Sequence, residues 1–305
     1  MKTINRLLWL LGNRNFLFIS SVVLGIALGQ AARWTQPLTL PALAVAMTVS
    51  TTQVASGAFR PLRKLVRPMV LSVVLNYLVL SGLILILARW LVPERELWIG
   101  FVLLAAAPPG VAVIPFSYIL GGDTAFALIG SVGAYLAALV ITPAMALLLV
   151  GEAFVQPVQL ITILLELLAV PLVLSRLLLA SPLKGPVERW RGKIVNWAFS
   201  LVLFTIIGLN RDVFLRQPQV LLLISVITVA SFFGLAFVLE KALEKLQLDR
   251  ATRVSYVLMG TLKNGGFAAG TALALFGERA SVPTAVAAAL AVPYLLWLGI
   301  HWGEQ

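Results

Sequence analysis

An all-α polytopic membrane protein of ten transmembrane helices is the fold class this sequence predicts, and three observations predict it. Of the 305 residues, 60% are hydrophobic and 11% charged, whereas a soluble domain carries about 25% charged residues to cover its surface. Mean hydropathy is +1.00. Apolar runs of about 20 residues recur along the chain, each long enough to cross a hydrocarbon layer about 30 Å thick as a helix. Their connections are short, so 1–305 reads as a single transmembrane domain with no appended soluble module.

Taken in order, the spans lie at roughly 15–32, 37–57, 68–92, 97–120, 124–150, 157–180, 194–213, 219–239, 252–276 and 281–302. The first follows Lys2, Arg6 and Arg14, and no small-x-small cleavage site follows it, so it reads as a span rather than a signal peptide. The second carries a polar cluster, Thr48, Ser50, Thr51, Thr52 and Gln53, and precedes the basic stretch Arg60, Arg63, Lys64 and Arg67. Proline and glycine at Pro108, Pro109, Gly110 and Pro115 interrupt the fourth. The sixth holds an intramembrane acid, Glu166, and a second basic stretch spans 184–193. Within the ninth lies Lys263-Asn264-Gly265-Gly266. Placing both termini in the cytoplasm of a cell whose inner (plasma) membrane holds the chain puts most Lys and Arg on the inner side, the bias that orients helical membrane proteins.

Gly110 precedes Gly122-Asp123 by the interval that separates Gly265 from Gly277-Glu278. Repeats at about 15–150 and 157–302, each with an odd number of spans, are inverted in the membrane, and matching broken helices point to a midplane transport site. Proline removes a backbone donor and clashes with the carbonyl one turn back, so the fourth span unwinds near Pro108 and Pro109. Unwound backbone survives at that depth only when buried in protein or lining a wet cavity. Two such helices crossing at the midplane aim the partial positive charge of their half-helix N-termini at one point, which suits an anionic substrate.

Several function classes fall away. The net charge of +11 resides in inter-helix loops, where orientation explains it, so no nucleic-acid partner is expected. The absence of cysteine removes disulfide, iron–sulfur and thiol chemistry, and a single histidine, His301, argues against a metal or haem centre. No catalytic triad, paired catalytic carboxylates or phosphate loop is present, so no enzyme activity and no cofactor are expected.

The stretch "PPGVAVIPFSYILGGDTAFALIGSVGAYLAALVITP" at 108–143 resembles the fourth and fifth spans of the bile acid:sodium symporter family. "KNGGFAAGTALALFG" at 263–277 is similar to its ninth span, and the second span with "RPLRKLVRP" also fits, so the chain reads as a divergent prokaryotic-type member. The resemblance implies a core domain, carrying crossed broken helices four and nine, that moves against a panel of spans one, two, six and seven. It also implies transport of a small organic anion by alternating access, coupled in the typical member to sodium.

The family's sodium ligands do not carry over. In the register set by Tyr118, Gly122, Asp123, Thr142 and Pro143, its Ser-Asn pair falls on Val113 and Ile114, and its fifth-span hydroxyls fall on Ala127 and Ser131. Its ninth-span glutamate falls on Met259 and its glutamine on Lys263. Sodium is therefore not expected as a partner. The Lys263 ammonium supplies positive charge in its place, or sheds a proton and couples transport to protons. Glu166 either pairs with Lys263 or takes up a proton, or it is a neutral acid bonded to a neighbouring helix. Substrate contacts are expected from Asn264, Pro109, Gly110, Gly265, Thr48 and Thr52, though helix packing is the commoner fate of membrane hydroxyls. Asn76 is a candidate for the family's third-span glutamine. Membrane lipid is the remaining partner, and the competing readings of the whole chain are a sensor or receptor that kept the fold and lost transport, and a sodium-coupled symporter using a non-standard site.

Overall fold

The computed structural model describes residues 12–52, 63–151, 158–159, 162 and 165–303. Lys2, Arg6, Gln53 and Arg60 lie outside the described residues. The chain is all-helical. Five of the described helices are long and apolar enough to cross a membrane, or six if the pair Arg14–Ala27 and Gly29–Thr51, bent by 97°, makes one span. The expected fourth and ninth spans are cut by breaks at 107–112 and 262–264, and part of the expected sixth, 157–180, lies outside the described residues.

The first bend separates α1 (Arg14–Ala27) from α2 (Thr39–Thr51). Next, α3 (Arg63–Val73) passes through a π-helical segment, Val74–Leu80, into α4 (Ser81–Leu91). The expected fourth span is two helices, α5 (Arg95–Ala106) and α6 (Val113–Ile119), and the fifth is one, α7 (Thr124–Val150). A π turn, Leu165–Ala169, leads into α8 (Val170–Ala180). The following α9 (Lys184–Leu209) starts ten residues before the expected seventh span, so the basic stretch 184–193 is helix rather than loop. α10 (Pro218–Val229) and α11 (Leu235–Lys245) are joined by a second π segment, Ala230–Gly234. α12 (Arg250–Thr261) is separated by three residues from α13 (Gly265–Gly303), which bends at Gly277.

Both half-helices that follow a break end at glycine. Gly121 has φ +68 and Gly277 φ +83, a left-handed backbone that a residue with a Cβ rarely adopts. Close packing at Gly100 brings α5 onto the far arm of α13, since a Cβ there would clash with the Ala280 carbonyl oxygen.

Past the Gly277 bend, Arg279 clasps Glu94, which sits between α4 and α5. Its Nε and Nη2 each donate to one carboxylate oxygen at 2.6 Å, and Nη1 donates to Gln217 Oε1 at 2.7 Å. The hydrogen bonds from Arg279 hold the Glu94 carboxyl below its ordinary value of 4.5. Because the folded value is the lower one, the clasp stabilises the fold above about pH 4.5 and fades as pH falls through the folded value. Melting curves at pH 6 and pH 3.5 are expected to show a smaller acid loss for Glu94→Gln than for the wild type. Equal losses would remove this ion pair from the acid limb.

Candidate functional site

The breaks at 107–112 and 262–264 meet. Pro109 and Lys263 face each other as an antiparallel pair. The Gly110 N–H donates to the Leu262 carbonyl at 3.1 Å, and the Asn264 N–H donates to the Pro108 carbonyl at 2.8 Å. Each break thereby satisfies main-chain groups of the other, as buried backbone requires. A Cβ on Gly110 would come within 3.1 Å of the Lys263 carbonyl oxygen, which accounts for glycine at that crossing. Tyr135 of α7 donates its hydroxyl to the Pro109 carbonyl at 3.1 Å and fixes the junction from the side.

From this junction the Lys263 side chain turns away into the protein, and it is only 5% exposed. Its Nζ donates to Asn76 Oδ1 at 2.7 Å, Ser81 Oγ at 2.9 Å, Ala105 O at 2.7 Å and Ala107 O at 2.8 Å. The same nitrogen lies 4.6 Å from the centre of the Tyr77 ring, a cation–π contact. Three protons thus meet four oxygen acceptors and an aromatic face, with no carboxylate among the contacts. The compensating charge is the C-terminus of α5, whose last carbonyls carry the negative end of the helix dipole. Ala105 and Ala107 bond Lys263, while Thr142 Oγ1 donates to Ala106 O at 2.7 Å.

Asn76 works on both broken helices. Its Nδ2 donates to the carbonyls of Met259 at 3.1 Å and Leu262 at 3.3 Å, at the end of α12, and this directs Oδ1 at the ammonium. Asn76 and Ser81 are five residues apart, a spacing that an α-helix places on different faces. The π segment widens the turn and aligns them, and the Ser81 hydroxyl lies 2.9 Å from the Asn76 carbonyl.

Beside the crossing lies a cavity of about 370 Å³. Its walls include Gly110, Gly265 and the backbone around Lys263 and Asn264, with Arg14, Phe199 and Arg191 from α1 and α9 opposite. No Asp or Glu is among its lining residues. Arg14 sets its guanidinium 4.2 Å from the centre of the Phe116 ring.

The structure brings Pro109, Gly110, Lys263, Asn264 and Gly265 together. The Asn264 side chain, however, is occupied in capping α13: its Oδ1 accepts from the Phe267 N–H at 3.0 Å and its Nδ2 meets Met47 Sδ at 3.4 Å. Thr48 and Thr52 return their hydroxyls to the Ala44 and Val49 carbonyls and do not line the cavity, although Ser50 between them does. Val113, Ile114, Ala127 and Met259 are buried in the apolar core, and the buried Ser131 hydroxyl has no hydrogen-bond partner. A sodium ion needs about five or six oxygens, and these apolar side chains do not provide them. Glu166 is exposed, and of the alternatives for it the pairing with the buried Lys263 is not formed. Tyr77, Ser81, Arg14 and Arg191 were not expected at the site. Serine five residues beyond Asn76 is a signal only if the π turn is foreseen, and Arg191 is hidden inside a basic stretch that reads as a loop.

No curated protein matches this sequence. The family model of the SBF-like CPA transporter family (DUF4137) matches residues 15–301. That match covers nearly the whole sequence, and the chain therefore belongs to the SBF-like CPA transporter family, which is related to the bile acid:sodium symporters.

Proposed function

We propose that this multi-pass membrane protein is a secondary transporter that moves a small organic anion by alternating access, without sodium, the Lys263 ammonium standing where a sodium ion would. Ten spans in two inverted five-helix repeats, with both termini on the cytoplasmic side of the inner membrane, are the matching architecture. The reciprocal bonding of the two breaks, and the glycine that ends each following half-helix, support the repeat.

One observation carries the reading: the Lys263 Nζ holds four oxygens within 2.9 Å at the crossing. A coupling ion must bind and leave in each cycle, whereas an ammonium tethered through its side chain stays. The acceptor-rich surroundings suit the protonated amine and leave a neutral one with few donors for its lone pair. Uniport or exchange is therefore favoured over proton coupling.

The test is flux in proteoliposomes with labelled carboxylates and sulfonates as candidate cargo. Uptake is expected to stay within about two-fold when sodium is replaced by choline, since no bound sodium contributes differential affinity. Steep dependence on a sodium gradient, persisting in Lys263→Ala, would sink the substitution.

A further inference from the structure

We propose that Ser50 and Arg191 form the headgroup end of the cavity and bind the carboxylate or sulfonate of a soluble anion whose apolar body lies along α9. This rests on the reading above, in which the cavity is the transporter's substrate site. Four hydroxyl residues close α2, and three of them return to its backbone: Thr48 to Ala44 O at 2.7 Å, Thr51 to Met47 O at 2.6 Å and Thr52 to Val49 O at 2.7 Å. Such back-bonding is the ordinary fate of a hydroxyl inside a helix. Ser50 alone departs from it. Its hydroxyl is buried without a hydrogen-bond partner, the residue is 3% exposed, and it is the member of the group that lines the cavity. A buried donor left unmatched calls for a partner.

The charge comes to this turn from α9. Arg191 donates through Nε to Thr52 Oγ1 at 3.0 Å, two residues from Ser50, and lines the same cavity. That bond uses one edge of the guanidinium, and the Nη1–Nη2 fork is the edge that matches two oxygens of an oxyanion. Arg14 adds a second positive charge, and no acid lines the wall to offset either. Beyond the head, Phe199, Val202, Leu203 and Ile206 form an apolar flank. A monoanion with an apolar body fits both halves, whereas a cationic head would face Arg191 and Arg14.

The chain has no cysteine, so Ser50→Cys introduces a single thiol. Full-length protein in phosphatidylcholine nanodiscs would be treated with 2-sulfonatoethyl or 2-(trimethylammonio)ethyl methanethiosulfonate. The thiolate attacks the reagent's S–S bond, giving a mixed disulfide and releasing methanesulfinate. With rates normalised to free 2-mercaptoethanol, the anionic reagent is expected to label about ten-fold faster than the cationic one, because a cleft of one charge sign concentrates its counter-ion. Adding Arg191→Gln is expected to lower the ratio to about three, the remainder coming from Arg14, while Arg89→Gln leaves it unchanged. No labelling by either reagent, a preference for the cation, or a ratio indifferent to Arg191→Gln overturns the proposal. Labelling abolished by adding phosphatidylglycerol would assign the head site to a lipid and overturn the soluble anion. The reaction needs no transport, so anion preference without flux would fault the transporter reading alone, and flux without preference would fault this one alone.

Discussion

Lys263→Met is expected to abolish flux and to lower stability by about 3 kcal/mol or more, because each buried acceptor stripped of its donor costs roughly 1–3 kcal/mol. Methionine keeps much of the length and apolar stem of lysine and removes the charge. It leaves Asn76 Oδ1, Ser81 Oγ and the Ala105 and Ala107 carbonyls facing a thioether that donates nothing. Some of that loss is recovered locally, since the Ser81 hydroxyl already reaches the Ala105 carbonyl at 2.6 Å. Asn76 has no such alternative: its Nδ2 is committed to α12, so its Oδ1 cannot turn elsewhere without releasing the Met259 and Leu262 carbonyls. A loss of this size should lower the melting midpoint by roughly 5–10 °C. Lys245→Met, at an exposed position near the end of α11, serves as the comparison and is expected to change little. If the Lys263 variant melts with the wild type and still carries substrate, the ammonium does not organise the crossing.

Much of the fold was legible because membrane helices announce themselves through composition, and both breaks were legible because proline and paired glycines cannot continue a helix quietly. The meeting of the breaks followed from the matching intervals at Gly110 and Gly265. What surrounds the lysine was not legible. Two of its four oxygens are main-chain carbonyls of alanine, whose side chains carry no sign of a polar role, and the other two share a face only after a π turn. Resemblance to sodium symporters points to lost side-chain oxygens at Val113, Ile114 and Met259, whereas half of the oxygens around Lys263 are helix-end carbonyls. Charge statistics misled in a similar way at Arg191. A cluster of Lys and Arg between apolar runs reads as a loop, yet α9 begins at Lys184 and carries one of those arginines to the cavity wall. Glu166 stands out in the sequence by its depth in an apolar run, but exposure depends on the face of the helix and not on depth.

If the cage itself recognises a cation, Lys263→Ala should be rescued by a free one. Alanine removes three methylenes and the amine, the atoms of propylammonium, and leaves the four oxygens and the Tyr77 ring around the gap. A ligand that binds the folded state alone stabilises it by RT ln(1 + [L]/Kd), so 100 mM propylammonium with a dissociation constant near 10 mM would return about 1.4 kcal/mol. The melting midpoint of Lys263→Ala should then rise by roughly 3–5 °C relative to the same concentration of choline, which is too large for the gap. Sodium should help less, since without a carboxylate the site offers only neutral oxygens to an ion that dehydrates at a cost. The wild type should respond to none of the three salts, because its own ammonium fills the position. Equal midpoints for the variant in propylammonium and choline would mean that the gap has collapsed or that the oxygens merely pack against the lysine stem, and the idea of a built-in cation would fall. A rescue by sodium that matches or exceeds propylammonium would instead show that removing Lys263 opens an ion site here despite the apolar residues at Val113, Ile114, Ala127 and Met259.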